Sequence, residues 1–277
     1  MRMLVFGLGY AAGVAADRLR ARGWRVIGTS RDGREGTVAF ADEDRVRFEI
    51  AAADAVLSSV PPAEDSDPVL EAYGGALAAR GCWLGYLSST GVYGDAGGGW
   101  VDESAPLGGR RPARVAADRA WLGLGARVLR LPGIYGPGRS PLDRVRSGAA
   151  HRVDLAGQVF SRVHVEDIAA GIAAALDAPA GAYNLADDLP ADQNAVVAYA
   201  ARLLGVAPPP FVPLESLSPM ARGFYAENRR VANGRAKRVL GWRLRYPDYR
   251  FGLRALNAMT SPASTSSAPA PASSDQR

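Results

Sequence analysis

The chain has 277 residues, 48% hydrophobic and 22% charged, with a formal net charge of +5, which suits one large globular domain or one and a half at roughly 100–200 residues each. Its single cysteine, Cys82, excludes an intramolecular disulfide and a cysteine metal cluster, and His151 and His164 stand apart from any carboxylate or cysteine cluster, so no metal is expected. The positive charge comes from scattered arginines, with Lys237 the one lysine, and lacks the basic tract of a nucleic-acid binder; it favours an anionic small ligand.

Residues 3–7 form a strand-like apolar run that ends in glycine. The start lacks the longer apolar segment and cleavage site of a secretory leader. No run approaches the ~20 residues that cross a bilayer. These features set the expectation of a cytoplasmic protein away from membranes. Ala12, Ala15, Ala16 and Leu19 then recur at helical spacing, with Gly23 to stop the helix. Residues 25–29 are the next strand. Further buried strands are expected at 37–40, 55–60, 82–88 and 127–131, with helices at 69–80 and 113–122 between them. This alternation predicts an α/β fold, a Rossmann-type doubly wound parallel sheet.

Beyond about residue 140 the texture changes. A short strand at 162–165 leads into a helix at 167–176. Asp192 can cap a helix stopped by Gly205, Pro208-Pro209-Pro210 is a break, and Asn233 can cap a short helix ending at Gly241. The expected organisation is a nucleotide-binding domain over 1–175, a smaller substrate-side region over 176–259 packed on it, and a Ser/Ala/Pro-rich disordered tail over 260–277.

Gly7-Leu8-Gly9-Tyr10-Ala11-Ala12 is a G-x-G-x-x-A dinucleotide fingerprint placed directly between a strand and a helix. Gly7 allows the tight turn and Gly9 lets the backbone approach a pyrophosphate. Tyr10 and Ala11 open the helix, whose free N–H groups face the phosphates. The second strand ends in Thr29-Ser30-Arg31 rather than in the acid that holds an NAD ribose. Arg31 can pair with a 2′-phosphate and Ser30 can donate to it. NADP(H) is therefore expected over NAD(H). Ser59, Val60 and Pro61, after the fourth strand, should flank the adenine side.

Ser88-Ser89-Thr90-Gly91-Val92-Tyr93-Gly94-Asp95, followed by Asp102-Glu103-Ser104-Ala105-Pro106, resembles the segment after the fifth strand of NAD-dependent epimerase/dehydratase-type proteins. These are extended or atypical short-chain dehydrogenases/reductases. Residues 129–138, 162–169 and 182–185 resemble three further signatures of that family. The resemblance covers about residues 1–190. It implies that Ser89 polarises a substrate carbonyl. It also implies that Ser88 contacts the cofactor and that Pro132, Gly133 and Ile134 line the nicotinamide, and it makes a homodimer an option.

The family's enzymes use a Tyr-x-x-x-Lys pair. Asn233 stands four residues before the one lysine, so this chain has no such pair. Anchoring Asp118 on the family's trailing acid places Arg110 at the tyrosine and Arg114 at the lysine. An ungapped count from Pro106 gives Arg114 and Asp118 instead. Arg114 can hold a ribose but is a poor proton shuttle. Tyr93 and Tyr135 are the candidates to replace the missing tyrosine, and Arg139, Arg222 and Arg229 are candidate anion contacts. Three activities stay open: an oxidoreductase acting on a small carbonyl or hydroxyl compound, a nucleotide-sugar epimerase or dehydratase, and a cofactor-binding sensor or structural partner without turnover.

Overall fold

The structure is a computed structural model that describes residues 1–34 and 36–260; the expected tail from residue 261 lies outside them. In chain order the first half contains β1 (Arg2–Phe6), α1 (Tyr10–Arg20), β2 (Arg25–Ser30), β3 (Thr37–Ala39), α2 (Glu43–Ala52), β4 (Ala55–Ser58), α3 (Pro68–Arg80), β5 (Trp83–Ser89), β6 (Trp100–Val101) and α4 (Pro112–Gly123). Then come β7 (Arg127–Leu131), β8 (Gly133–Tyr135), α5 (Pro141–Arg146), β9 (Arg152–Val153), β10 (Arg162–His164), α6 (Val165–Ala175) and β11 (Gly181–Asn184). The chain continues through α7 (Gln193–Leu203), β12 (Phe211–Val212), α8 (Pro219–Tyr225), β13 (Arg230–Val231), α9 (Gly234–Val239) and α10 (Tyr249–Thr260).

Seven strands form one parallel sheet in the order β3-β2-β1-β4-β5-β7-β11. Successive side chains along a strand point to opposite faces, and the core divides accordingly. Met3 and Val5 pack with Ala15, Leu19, Ile168 and Ile172 of α1 and α6. Leu4 and Phe6 pack with Val46, Tyr73, Leu77 and Trp121 of α2, α3 and α4. Each large apolar side chain buried this way contributes about 1.5–3 kcal/mol. The sheet is therefore doubly wound, and β1 and β4 flank the point where strand order reverses. Ligands of such sheets bind outside the strand C-termini at that crevice.

The helix ends follow from local chemistry. Gly23 (φ 83°) closes α1: its N–H reaches Arg20 O at 2.9 Å, and Trp24 N–H reaches Leu19 O at 3.1 Å. These are the paired bonds of a Schellman ending. Gly205 closes α7 in the same way. Asp67 caps α3 through Val69 N and Leu70 N and also accepts from Trp121 Nε1 at 2.9 Å, which ties α3 to α4.

Strand β11 lies beyond the expected domain boundary at residue 175, yet it forms the edge of the main sheet beside β7. Three small parallel pairs, β8 with β10, β9 with β12 and β6 with β13, join distant segments. Tyr135, Leu142, Val196, Tyr199, Tyr249, Leu253 and Leu256 form a separate core under α5, α7 and α10. No helix among the described residues is long and apolar enough to cross a membrane.

Candidate cofactor and active site

The crevice begins at the glycine turn after β1. Gly7 has φ 75°, and a Cβ there would stand 2.9 Å from Val60 Cγ2 and 3.3 Å from Ser59 Oγ. The Ser59 hydroxyl donates to Gly7 O. A Cβ on Gly9, by contrast, would meet only Gly7 O, at 3.9 Å, so the space above it is open. Helix α1 starts at Gly9 with no side-chain cap and no acid in its first turn. The amides of Tyr10, Ala11 and Ala12 have no backbone acceptor among the described residues. Asp42, Asp67, Ser140, Asp192 and Ser218 cap other helices. An uncapped N-terminus behind an open glycine turn has the free donors to cradle an anion.

The outer rim of the cradle is made by the loop after β2. Arg31 is exposed there. Arg34, which sequence reasoning missed, reaches back so that its Nη2 donates to Leu8 O at 2.7 Å. Its position in a Gly-Arg-Glu-Gly loop gave no signal. The Ser30 hydroxyl, expected to face a phosphate, is engaged locally: it lies 2.8 Å from Thr37 Oγ1 and 3.1 Å from Asp32 Oδ1, and it accepts from Arg34 N. Backbone and Ser30 hydrogen bonds hold the exposed Asp32 carboxyl below its usual range.

At the end of β5 the two serines point to opposite faces. Ser88 is buried and donates to Asp118 Oδ2 at 2.6 Å, under the sheet on the α4 side. Its hydroxyl is therefore turned away from the expected cofactor contact. Ser89 Oγ accepts from Gly91 N at 3.1 Å, which orients the hydroxyl and leaves its proton available. Tyr93, expected as a proton donor, is locked instead. Its hydroxyl donates to Asn184 Oδ1 at 2.7 Å and accepts from Arg130 Nη1 at 2.9 Å. Burial raises its pKa. Arg130 in turn grips both oxygens of Asp118, at 2.7 and 3.0 Å. Tyr135 is also buried, and its pKa is raised chiefly by that burial.

The pairing of Asp118 with Arg130 fixes the rotation of α4. One turn earlier Arg114 is half-buried beside Tyr86, and burial lowers its pKa. Arg110 precedes the helix and binds the C-terminal region, with Nε donating to Glu227 Oε1 at 2.8 Å and Nη2 to Gly223 O at 2.5 Å. Arg229 Nη1 donates to the other Glu227 oxygen and to Gly94 O, both at 2.7 Å.

The opposite wall is the segment after β7. Gly133 N donates to Ser161 O at 3.2 Å, where β8 meets β10. Gly133 is exposed, and Pro132 and Ile134 are partly so. Tyr10 bridges the cradle to this wall by donating to Pro137 O at 3.0 Å. Behind the wall two titratable groups are buried. His164 caps α6, and burial depresses its pKa to about 4. Asp187 has its pKa pushed up to about 8, burial outweighing the pull of Arg162. Between the ordinary carboxylate value and pH 8 the folded protein keeps a proton on Asp187 that the unfolded chain has released. Stability therefore falls as pH rises through that window. The His164 effect has the opposite sign and acts only below about pH 6.5, where the unfolded chain takes up a proton that the folded one refuses. The urea midpoint is thus expected to fall from pH 6.5 to pH 8 in the wild type and to stay nearly flat in Asp187→Asn. An equal fall in both proteins would remove Asp187 as the cause.

Comparison with known proteins places this arrangement. No family model matches the chain. Protein YeeZ of Escherichia coli (strain K12) is 32% identical over 285 residues, covering 89% of this chain and 97% of YeeZ. Among solved structures, a functionally unknown conserved protein from Silicibacter pomeroyi DSS superposes with a TM-score of 0.87 at 44% identity, over 93% of this chain and 98% of that one. The human epimerase family protein SDR39U1, solved with NADPH, superposes with a TM-score of 0.74 at 18% identity, over 93% and 99% of the two chains.

Proposed function

Because the chain belongs to the same family as Protein YeeZ, within the epimerase/dehydratase-like, atypical branch of the extended short-chain dehydrogenases/reductases, we propose that it is an NADP(H)-dependent oxidoreductase acting on a small carbonyl or hydroxyl compound. The observation that carries this reading is the uncapped, acid-free N-terminus of α1 behind an open glycine turn, with Arg31 and Arg34 at its rim. SDR39U1, with the same fold, is solved with NADPH.

A bound nicotinamide would supply or accept hydride; the remaining work falls to this chain. The first amides of α1 hold the pyrophosphate. Arg31 and Arg34 would pair with the 2′-phosphate, against the nearby Asp32 carboxylate, which the Ser30 hydroxyl and backbone amides engage. Arg114, half-buried beside Tyr86, would be the residue to hold the nicotinamide ribose. Ser89, its oxygen fixed by Gly91 N–H, donates to the substrate oxygen and stabilises charge that develops there. Tyr93 is committed to Asn184 and Arg130 and serves the fold, so the proton reaches the substrate oxygen from water through Ser89. The same locked tyrosine favours a second reading, a cofactor-binding protein without turnover. Oxidation of NADPH by a panel of carbonyl compounds separates the two.

Calorimetric titration tests the cofactor assignment. Wild type is expected to bind NADPH at least tenfold tighter than NADH. Arg31→Ala and Arg34→Ala should each lose about tenfold or more for NADPH and little for NADH, since a charge-assisted pair contributes about 1.5–3 kcal/mol. Equal affinities in the wild type would remove the 2′-phosphate assignment. Binding of neither nucleotide would remove the whole reading.

A further inference from the structure

The proposed oxidoreductase reading leaves the substrate open, and the far side of the crevice narrows it. Strand β13 pairs in parallel with β6 and carries the segment 227–231 alongside the turn that follows β5. Arg229 arrives there with its side chain only 16% exposed. Its Nη1 is fully used, on Gly94 O and Glu227 Oε2. Its Nη2 makes no hydrogen bond among the described residues. A Cβ on Gly91 would stand within 4.0 Å of both Arg229 Nη2 and Ser89 Oγ. The absence of a side chain at Gly91 therefore leaves one small space bounded by a free guanidinium nitrogen and by the hydroxyl that faces the substrate oxygen.

The charges around this space are accounted for. Glu227 is covered by a guanidinium on each carboxylate oxygen, Arg110 on Oε1 and Arg229 on Oε2. Its pKa is held below the usual range by those two partners against the cost of burial. The exposed Asp95 carboxylate accepts from Asn228 N at 2.7 Å and Gly97 N at 3.2 Å. Glu227 is thus satisfied by fixed donors on both oxygens, while Asp95 takes its two donors on Oδ1 and lies close enough to Arg229 to feel its charge. The N–H groups of Arg229 Nη2 take no acceptor among the described residues and are not sealed from solvent, so an anionic ligand can reach them. A planar guanidinium held rigid by two other bonds suits a carboxylate.

We infer that Arg229 selects a substrate carrying a carboxylate next to its reacting carbonyl, as in a 2-oxo acid or the matching 2-hydroxy acid, with the carbonyl oxygen on Ser89 and the carboxylate on Arg229 Nη2. The two groups of such a molecule are one bond apart. Ser89 Oγ and Arg229 Nη2 both lie within 4.0 Å of one point beside Gly91, so hydrogen bonds of about 2.8 Å at each end put the two atoms within reach of such a molecule. The assignment rests on the proposed role of Ser89 but needs no particular nicotinamide cofactor.

The test is calorimetry on the full chain with phenylpyruvate and, as the uncharged match, benzyl methyl ketone, without cofactor and after saturation with NADPH. Wild type is expected to bind phenylpyruvate at least tenfold tighter than the ketone. Arg229→Met should erase that preference with NADPH affinity unchanged. Glu227→Gln should strengthen it, because the carboxylate no longer offsets the guanidinium, and a gain cannot come from misfolding. The inference is overturned if neither probe binds, if the wild type binds both alike, or if Arg229→Met keeps the preference. Should that variant fail to fold, unchanged or weaker phenylpyruvate binding by Glu227→Gln overturns it instead. Loss of NADPH binding with the acid preference intact takes down the cofactor reading and leaves the role of Arg229 standing.

Discussion

Replacing Arg130 by methionine is expected to destabilise the fold by about 3–5 kcal/mol, the usual cost of removing one partner from a buried ion pair. Asp118 is 0% exposed and Arg130 2%. The guanidinium supplies two of the three donors on that carboxylate, Ser88 the third, and it also holds the Tyr93 hydroxyl. In the variant the buried carboxylate has lost its counter-charge and has only the Ser88 hydroxyl. The double variant Arg130→Met/Asp118→Leu removes the orphaned charge as well and should recover most of the loss. Urea denaturation of the three proteins at pH 7 decides it. A single variant less than about 1 kcal/mol below wild type would mean that the pair is not buried as described.

The second large effect is expected at the glycine turn. Gly7→Ala puts an L-residue at φ 75°, which costs about 1–2 kcal/mol, and sets its methyl 2.9 Å from Val60 Cγ2. The turn must shift, and the first amides of α1 shift with it. Loss of thermal stability and at least a tenfold loss of NADPH affinity are expected together. Gly9→Ala separates the two effects. Its backbone is extended (φ −93°) and its methyl meets only Gly7 O at 3.9 Å, so the protein should fold as well as wild type. The methyl would nevertheless occupy the approach to the helix N-terminus, and NADPH affinity should fall by a similar factor. If Gly9→Ala binds NADPH normally, the phosphates do not lie where the cradle suggests.

Much of this architecture could be read in the sequence, for identifiable reasons. Strands buried on both faces are short apolar runs, and β1, β2, β4, β5 and β7 all fall on the expected ones. Helix α2 was missed because Glu43, Asp44, Arg45, Arg47 and Glu49 dominate it, with only Val46 and Ile50 as buried apolar residues. In α10 the signal was present, since Tyr249, Leu253 and Leu256 recur at helical spacing. Edge strand β11, Gly-Ala-Tyr-Asn, has one large apolar residue and stood out only as a family signature.

The proposed site divides in the same way. The cradle is local, within six consecutive residues, and sequence suffices for it. The Arg110–Glu227 link spans 117 residues, and no pattern along the chain announces it. The two serines of β5 look equivalent in the sequence. Strand alternation separates them, sending Ser88 to Asp118 and Ser89 to the other face.

The position of β11 also sets a timetable. The sheet edge beside β7 is supplied by residues 181–184, after β8, β9, β10 and α6 have been made. As the chain leaves a ribosome, at about 5–20 residues per second, β7 stands for several seconds with its outer N–H and C=O groups unmatched. An unpaired edge is a template for another chain. The nascent protein therefore passes through an interval in which self-association competes with folding, and that interval closes only when roughly two-thirds of the polypeptide has emerged.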